Sequence, residues 1–294
     1  MHPATRPALL LLSLALPLPA LPAQRPFGQR DSVVTMSERV AAGDWVRIHA
    51  RLGSVAITEG TGDRVEFRAE KEVRRGRLED IAFVMLKDKD GLTICAVFDE
   101  GDECDRDGVR SDSRGDGWRW GERARVTITV QLPRGVRVRV SSGNGAVSLA
   151  AAAAEARVSS GNGRVMVSGV QGRVDASSGN GDITVERVSG PVNASSGNGV
   201  LRARIEKLSD PDDMTFSTGN GRIILDLPAD FAAAVDARTG NGSVTTDFPV
   251  TIEGRFSPNR LRGTIGGDRP RRRLKLTSGN GSLEIRSLGR TPGR

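Results

Sequence analysis

The sequence contains no tyrosine, and aromatic residues of all kinds make up only 4% of its 294 residues. A hydrophobic core must therefore be built from valine, isoleucine, leucine and alanine, which recur in short runs. Beyond the N-terminal segment, no stretch of eighteen consecutive apolar residues occurs, so no helix that spans a membrane is predicted in the mature chain.

Histidine is as scarce as the aromatic residues, with only His2 and His49 in the whole chain. His2 lies in a segment that we expect to be removed. A single remaining histidine argues against the usual Ser-His-Asp triad and against a metal centre built from several histidines. The alternation of apolar residues on either side of His49 predicts that its ring points outward. The sequence therefore predicts no catalytic residue and no cofactor.

The first 23 residues have the pattern of a signal peptide. Arg6 precedes an apolar stretch, Leu9 to Leu18, and small residues follow around Ala20 and Ala23. We expect the mature protein to be extracytoplasmic, either periplasmic or secreted. Removal of Arg6 lowers the formal charge from +7 to +6, which permits loose attraction to anionic polymers.

The two cysteines, Cys95 and Cys104, are expected to pair, because disulfides form readily in an exported protein. Their spacing is not that of a thioredoxin-type redox motif. Closing so short a loop would stabilise the fold by about 2.5–3 kcal/mol in the chain-entropy model. The pair therefore predicts a pinned surface loop.

An internal repeat organises the rest of the chain. The tripeptide Gly-Asn-Gly occurs seven times, with its asparagine at Asn144, Asn162, Asn180, Asn198, Asn220, Asn241 and Asn280. The successive spacings are 18, 18, 18, 22, 21 and 39 residues. Because the last gap is about twice the others, we expect a degenerate copy near Gly263 to Gly267.

Apolar residues alternate on both sides of each tripeptide. Of the 28 positions that lie six and four residues before an asparagine, or three and five residues after it, 27 are apolar. Alternation with a period of two indicates two short strands per repeat, each with one buried face. The glycines of the tripeptide allow the chain to turn between the two strands.

A serine or threonine stands two residues before every asparagine, on the same parity as the buried residues. A buried hydroxyl or amide costs a few kcal/mol unless it is hydrogen-bonded. Stacked copies would let each asparagine amide bond its counterpart in the next repeat. We therefore predict an asparagine ladder, and a row of ligand-binding amides remains the alternative.

Weaker copies of the pattern extend upstream, where Leu52 takes the asparagine position. Residues 81–98 are predicted to form a hairpin that turns at Asp90-Gly91, and the polar residues 99–121 an exposed loop. The predicted organisation is thus a linker at 24–42, a β-repeat domain at 43–289 with an insertion at about 78–122, and a tail at 290–294.

Two all-β folds are compatible with this pattern. One is a single-chain β-solenoid with coils of about 18–22 residues, and the other is an antiparallel β-sandwich of Asn-Gly hairpins. The solenoid is favoured, because near-identical units that stack coil on coil bring like residues together.

The serial Ser-Ser-Gly-Asn-Gly segments and the lead-in Val126-Thr-Ile-Thr-Val-Gln-Leu-Pro resemble the bacterial toast-rack, or adhesin-like, β-repeat domains. The resemblance covers about Trp45 to Ser287. It implies a β-helix-like fold, an envelope or surface setting and a role in adhesion. Some members stand beside membrane-stress signalling components, which implies a sensory module as a second interpretation. Unlike anchored members, this chain has no predicted membrane helix.

Two charged segments are weighed as sites. Asp102, Asp105 and Asp107 alternate before a glycine as calcium ligands do, but the spacing is approximate and no glutamate closes the loop, so no metal site is predicted. A basic cluster could contact a polyanion; its members are Arg269, Arg271, Arg272 and Arg273. The aromatic residues expected for binding of single-stranded nucleic acid are missing from this cluster, so no nucleic acid partner is predicted.

The sequence thus predicts a non-enzymatic module, adhesin-like or structural, that contacts envelope polymers or surface proteins. An envelope-stress sensory module is the alternative. A polysaccharide-active enzyme is a third interpretation, against which the charged residues are spread along outward positions and not gathered at a cleft.

Overall fold

The computed structural model describes residues 30–98, 101–110, 124–209, 211–253, 257–267 and 270–289. The predicted signal peptide, the predicted tail and Arg269 lie outside these residues. Within them, the chain forms two large β-sheets, which we call sheet I and sheet II, and one small two-stranded sheet. Sheet I has eleven strands and sheet II has twelve.

The strands follow one another along the described part of the chain with a single turn of 3-10 helix, Leu78–Asp80, between the fourth and the fifth. The strands are β1 (Val33–Arg39), β2 (Trp45–Leu52), β3 (Ser54–Glu59), β4 (Arg64–Val73), β5 (Ala82–Asp88), β6 (Gly91–Val97), β7 (Glu103–Asp105), β8 (Gly108–Arg110), β9 (Ala124–Leu132), β10 (Arg137–Asn144), β11 (Val147–Ala150), β12 (Glu155–Asn162), β13 (Val165–Ser168), β14 (Val174–Asn180), β15 (Ile183–Val188), β16 (Val192–Asn198), β17 (Leu201–Ile205), β18 (Met214–Asn220), β19 (Ile223–Leu227), β20 (Ala233–Asn241), β21 (Val244–Thr246), β22 (Val250–Ile252), β23 (Arg260–Ile265), β24 (Arg273–Asn280) and β25 (Leu283–Ser287).

Each Gly-Asn-Gly repeat contributes one strand to each large sheet. The strand before the tripeptide lies in sheet II, the strand after it lies in sheet I, and both pair in parallel with the strands of neighbouring coils. The register is one of like on like, as in Val140, Val158 and Ala176 on three neighbouring strands. The predicted β-solenoid is therefore confirmed.

The alternative of a sandwich of Asn-Gly hairpins is wrong, because the two strands that flank a tripeptide do not pair with each other. The backbone N–H of Gly163 donates instead to the carbonyl oxygen of Asn180 in the next coil, at 2.9 Å. The tripeptide is thus a corner between two sheets and not a hairpin turn.

The core lies between sheets I and II and consists mainly of small aliphatic side chains. Burying a valine, leucine or isoleucine side chain stabilises a fold by about 1.5–3 kcal/mol, and the alternation places one such residue at every second position. Phenylalanines close the two ends: Phe67 packs on Phe83 with 5.4 Å between ring centroids, and Phe231 lies 6.5 Å from Phe248.

The glycines of the tripeptide corner leave no room for a side chain between neighbouring coils. A Cβ atom on Gly179 would lie 2.5 Å from the carbonyl oxygen of Gly161, and a Cβ atom on Gly181 would lie 2.2 Å from that of Gly163. Both contacts are with backbone atoms, which cannot move away without shifting a coil. Glycine is therefore required here by the distance between coils, in addition to the freedom to turn that the sequence suggests.

The predicted degenerate copy near Gly263 to Gly267 is wrong. Residues 260–265 form β23, which pairs antiparallel with β20 and, with β22, ends sheet II. The last coil, β24 and β25, lies between the coil of β18 and β19 and the coil of β20 and β21. The long gap before Asn280 is therefore an excursion to the end of the stack, and the order of coils in space differs from their order in the chain.

The other end of the stack also departs from the predicted organisation. The predicted linker contains β1, whose partly buried residues pair antiparallel with β4 in sheet I. The predicted hairpin is present as β5 and β6, and β6 pairs in parallel with β2, so it extends sheet II. The predicted loop contains a short hairpin, β7 and β8, while residues 111–121 lie outside the described part.

Candidate functional site

In-register coils turn each outward position into a row of side chains that runs across the strands. On sheet II, the position three residues before the asparagine forms what we call the serine row: Ser141, Ser159, Ser177, Ser195 and Ser217. The position two residues further upstream is occupied by arginine on β2, β10 and β12. We call these three residues the arginine row: Arg47, Arg139 and Arg157. Neighbouring members of a row are about 4.8 Å apart, which is the spacing of paired strands.

Four members of the serine row line a shallow groove of about 330 Å³, which we call the serine groove; they are Ser159, Ser177, Ser195 and Ser217. The groove crosses β10, β12, β14, β16 and β18, a distance of about 19 Å at the spacing of paired strands. The hydroxyl groups of Ser177, Ser195 and Ser217 make no hydrogen bond with any described residue. They are therefore available to a ligand that lies across the strands.

Arginine side chains gather around Trp45 near one end of the serine groove. The guanidinium carbons of Arg157, Arg137 and Arg47 lie 5.0, 5.2 and 5.9 Å from the centroid of the Trp45 ring. Cations at this distance are attracted by the electrons of the ring face. Trp45 thus helps to hold three positive charges on one part of sheet II.

Arg47 is the most buried member of this group, with 6% of its surface exposed. Its Nη1 atom is buried and has no hydrogen-bond partner among the described residues. Burial lowers the pKa of the Arg47 guanidinium below its ordinary value; Asp88 opposes the shift, and the charges of Arg106 and Arg139 add to it.

His49 points outward from sheet II as predicted, but the implied exposure is wrong, because only 5% of its surface is exposed. It lies in line with the serine row, between Cys95 and Ser141. Its Nδ1 atom lies 2.9 Å from the Oγ of Ser141, and its buried Nε2 has no partner among the described residues. Burial lowers the pKa of His49 below its ordinary value.

The cover over His49 comes from the β7–β8 hairpin, which packs against β2 and β6. The Cys95–Cys104 disulfide joins β6 to this hairpin, with 5.9 Å between the two Cα atoms. The structure therefore contains the predicted cross-link, and the loop that it pins is folded over part of sheet II. Such a cross-link fits an oxidising compartment.

The three aspartates considered as calcium ligands make separate contacts within the protein and do not converge on one point. The buried Asp102 accepts a hydrogen bond from the backbone N–H of Phe98 and lies 3.4 Å from Arg51. Asp105 accepts a hydrogen bond from the backbone N–H of Asp107 and so holds the hairpin turn. Within the described ranges, no group of three His, Cys, Asp or Glu side chains is placed to hold a metal ion.

The asparagines form a chain of six side-chain hydrogen bonds along the corner between the sheets. In every bond the Nδ2 of one asparagine donates to the Oδ1 of the asparagine before it in the stack, at 2.7–2.8 Å. In spatial order the ladder consists of Asn144, Asn162, Asn180, Asn198, Asn220, Asn280 and Asn241. All seven asparagine side chains are exposed, whereas the serine or threonine two residues before each of them is buried.

The buried polar groups are instead the hydroxyls two residues before each asparagine. The Oγ of Ser160 donates to the carbonyl oxygen of Gly145 at 2.9 Å, and Ser178 bonds Gly163 in the same way. Each bond joins one coil to the next and satisfies a hydroxyl that would otherwise be costly to bury. The sequence shows this row but not its acceptor.

The predicted polyanion cluster is only partly described, because Arg269 lies outside the described residues. Arg271 and Arg272 line a separate cavity of about 580 Å³ together with Glu206 and Asp230, so acidic groups accompany the two arginines. Arg272 also lies 5.3 Å from the ring of Phe231, and Arg273 belongs to β24. A contact between this cluster and a polyanion remains a prediction.

The serine groove and the arginine row were missed by reasoning from the sequence. Parity separates inward from outward residues, and each outward residue, taken alone, resembles part of a solvated surface. Aligning the outward positions of the repeats would have shown a serine or threonine three residues before six of the seven asparagines.

The stacked parallel coils, with their ladder and unbroken outer rows, define a β-solenoid repeat protein. The model of the Toastrack DUF4097 family matches residues 134–284, just over half of the chain. The chain therefore belongs to this family, as the repeat indicated. A search of curated proteins finds no match. No described helix is long and apolar enough to cross a membrane.

Solved structures similar to this chain include two bacterial proteins. One is a "putative cell adhesion protein" of Clostridium sporogenes, with 10% identity and a TM-score of 0.38, covering 87% of this chain and 99% of its own. The other is a "putative adhesin" of Bacteroides fragilis, with 15% identity and a TM-score of 0.37, covering 87% and 97%. Similarities at this level carry no functional argument.

Proposed function

We propose that this protein is an extracytoplasmic, non-enzymatic binding module of adhesin-like type, and that the outer face of sheet II holds an extended polymer of the cell envelope. The observation that carries the proposal is the serine groove. It crosses five strands and presents hydroxyl groups that the described residues leave unpaired. An extended chain of repeating polar units would meet a similar hydroxyl on each strand from β12 to β18, about 4.8 Å apart.

The fold favours this kind of ligand for two physical reasons. Rows held by a packed solenoid need little reordering on binding, so little entropy is lost when a ligand docks. Several equivalent contacts on one polymer also act together, because each contact raises the effective concentration of the next. Weak individual hydrogen bonds can therefore add up to useful affinity.

The proposed location rests on the Cys95–Cys104 cross-link together with the N-terminal signal-peptide pattern. A disulfide is typical of proteins that leave the reducing cytosol. Surface polymers and surface proteins are the ligands that such a location offers.

A polysaccharide array tests the proposal with mature protein that begins after residue 23. Ser177→Leu removes a hydroxyl and places an uncharged, branched side chain in the serine groove, and Ser148→Leu makes the same change on the outer face of sheet I. We expect wild type and Ser148→Leu to bind at least one extended polysaccharide, and Ser177→Leu to lose that binding. Equal binding by the two variants, or no binding by wild type across the array, would refute the proposal.

A further inference from the structure

The arginine row is an unusual arrangement for a parallel sheet. Arg47, Arg139 and Arg157 occupy one register position on three adjacent strands, with Arg139 in the middle. Like charges directly opposite each other destabilise a pair of strands. The structure must therefore offset this repulsion, either internally or with a ligand.

Sheet I shows that the same fold can accommodate alternating charges. One of its outward rows reads Glu186, Arg204, Asp226 and Arg286 on four adjacent strands. Each charge in that row faces an opposite charge on the neighbouring strand. A run of three arginines is thus a local property of sheet II and not a requirement of the coils.

The carboxylates of the protein compensate the positive charges of the three arginines to different extents. Arg157 lies 2.9 Å from Glu155, whereas the nearest carboxylate recorded for Arg139 among the described residues is that of Asp107, at 3.9 Å. The side chain of Asp107 is 72% exposed, so water screens its charge. The buried Nη1 of Arg47 has no described acceptor. The positive charge is therefore least compensated where Arg139 meets the end of the serine groove.

We infer that the two groove-lining members of the arginine row, Arg139 and Arg157, are a subsite for the anionic groups of an acidic polysaccharide whose chain lies in the serine groove. This subsite deepens the function proposed above and rests on it. Arg139 and Arg157 line the groove, so a carboxylate or sulfate group on the polymer can reach their guanidinium groups. Guanidinium groups bind such oxyanions through paired, charge-assisted hydrogen bonds.

The rest of the groove favours a polysaccharide over other polyanions. Beyond the arginines its outward lining consists mainly of hydroxyl and amide groups, as in Ser177, Asn193 and Thr215, which suit a hydroxyl-rich chain. The one carboxylate, that of Asp175, accepts a hydrogen bond from the amide of Asn193 at 2.9 Å. The lining includes no aromatic ring on which a base could stack, and guanidinium groups already surround the ring of Trp45. A nucleic acid would therefore find phosphate partners here but no partners for its bases.

The test compares polygalacturonate with neutral dextran by titration calorimetry on the mature protein. Arg139→Gln removes one charge from the subsite, and Arg202→Gln removes one from the outer face of sheet I as a matched control. Loss of a charge-assisted hydrogen bond weakens binding about tenfold or more, so we expect that effect on polygalacturonate for Arg139→Gln only. Arg139→Lys, which keeps the charge but loses the paired geometry, should recover part of the affinity. Unchanged thermal midpoints show that both glutamine variants fold.

Three results would overturn this inference. The first is equal affinity of wild type for polygalacturonate and dextran, and the second is equal weakening by the two glutamine variants. The third is binding of single-stranded DNA as tight as that of polygalacturonate with the same dependence on Arg139. Failure of the proposed function would give a different result, because Ser177→Leu would then leave binding of both polysaccharides unchanged. Loss of binding of both polysaccharides in Ser177→Leu, with no effect of Arg139→Gln, would refute the subsite alone.

Discussion

Replacing Asn180 by alanine measures what the asparagine ladder contributes to stability. Its Nδ2 donates to Asn162 at 2.8 Å, and its Oδ1 accepts from Asn198 at 2.7 Å, so the substitution removes two hydrogen bonds. A typical hydrogen bond contributes about 0.5–1.5 kcal/mol net. Because the side chain is exposed, water can replace part of what its neighbours lose. We therefore expect the free energy of unfolding to fall by about 1–2 kcal/mol.

The end of the ladder offers a comparison within the same protein for the cost of losing one hydrogen bond and of losing two. Asn144 takes part in only one ladder bond, because Leu52 stands at the equivalent position of the neighbouring coil. Asn144→Ala should therefore cost about half as much as Asn180→Ala. Thr184→Ala is the control, because this outward side chain makes no hydrogen bond with a described residue, and such surface changes are usually within about 0.5 kcal/mol.

Denaturant unfolding followed by circular dichroism and by tryptophan fluorescence measures all three variants. Two probes are needed, because repeat proteins can unfold in parts and then have no single unfolding energy. Equal midpoints for Asn180→Ala and Thr184→Ala would refute the claim that the ladder stabilises the stack. A cost for Asn144→Ala as large as that for Asn180→Ala would show that the effect does not come from the ladder bonds.

Three further expectations concern the corner, the covered histidine and the cross-link. Gly179→Ala should destabilise the fold by about 1–3 kcal/mol, because its Cβ would lie 2.5 Å from a backbone oxygen, whereas Gly101→Ala, with no atom within 4 Å, should be neutral in the same denaturation assay. Because burial lowers the pKa of His49 below its ordinary value of 6.5, the unfolded chain takes up a proton first as the pH falls. The stability that neutral His49 contributes above pH 6.5 is therefore lost as the pH falls below 6.5. His49→Gln should flatten the dependence of the free energy of unfolding on pH between about 7.5 and 5. An unchanged slope in this variant would contradict the role assigned to His49. Cys104→Ser should cost about 2.5–3 kcal/mol at most and speed tryptic cleavage of the β7–β8 hairpin, and equal cleavage rates would show that the disulfide does not hold that hairpin.

The solenoid could be predicted because the sequence pattern that specifies it is local and recurs in every repeat. Alternation on both sides of each tripeptide fixes which residues face the core, and identical repeats stack most simply like on like, which is how Asn162, Asn180 and Asn198 lie. The partner of the buried serines could not be read from parity, because a row of hydroxyls does not show which backbone oxygen lies above it.

Other features depend on contacts between distant segments. Parity places His49 on the outer face, but its burial depends on a hairpin more than fifty residues later in the chain. The groove could not be predicted for a related reason. It is formed by side chains of several stacked coils, and no single repeat contains it. The position of the last coil was equally hidden, because the copies around Asn220, Asn241 and Asn280 present almost the same stacking surface.

The placement of that last coil constrains the order in which the molecule can be completed. A chain that folds as it is synthesised can add coils in sequence up to β18 and β19, but the neighbour that follows in space is made last. Until β24 and β25 arrive, β20 and β21 have no coil to dock on, and the far end cannot close. Truncation before residue 273 would therefore remove an interior layer and release the cap, so that the C-terminal segment matters more to cooperative folding than its position in the chain suggests.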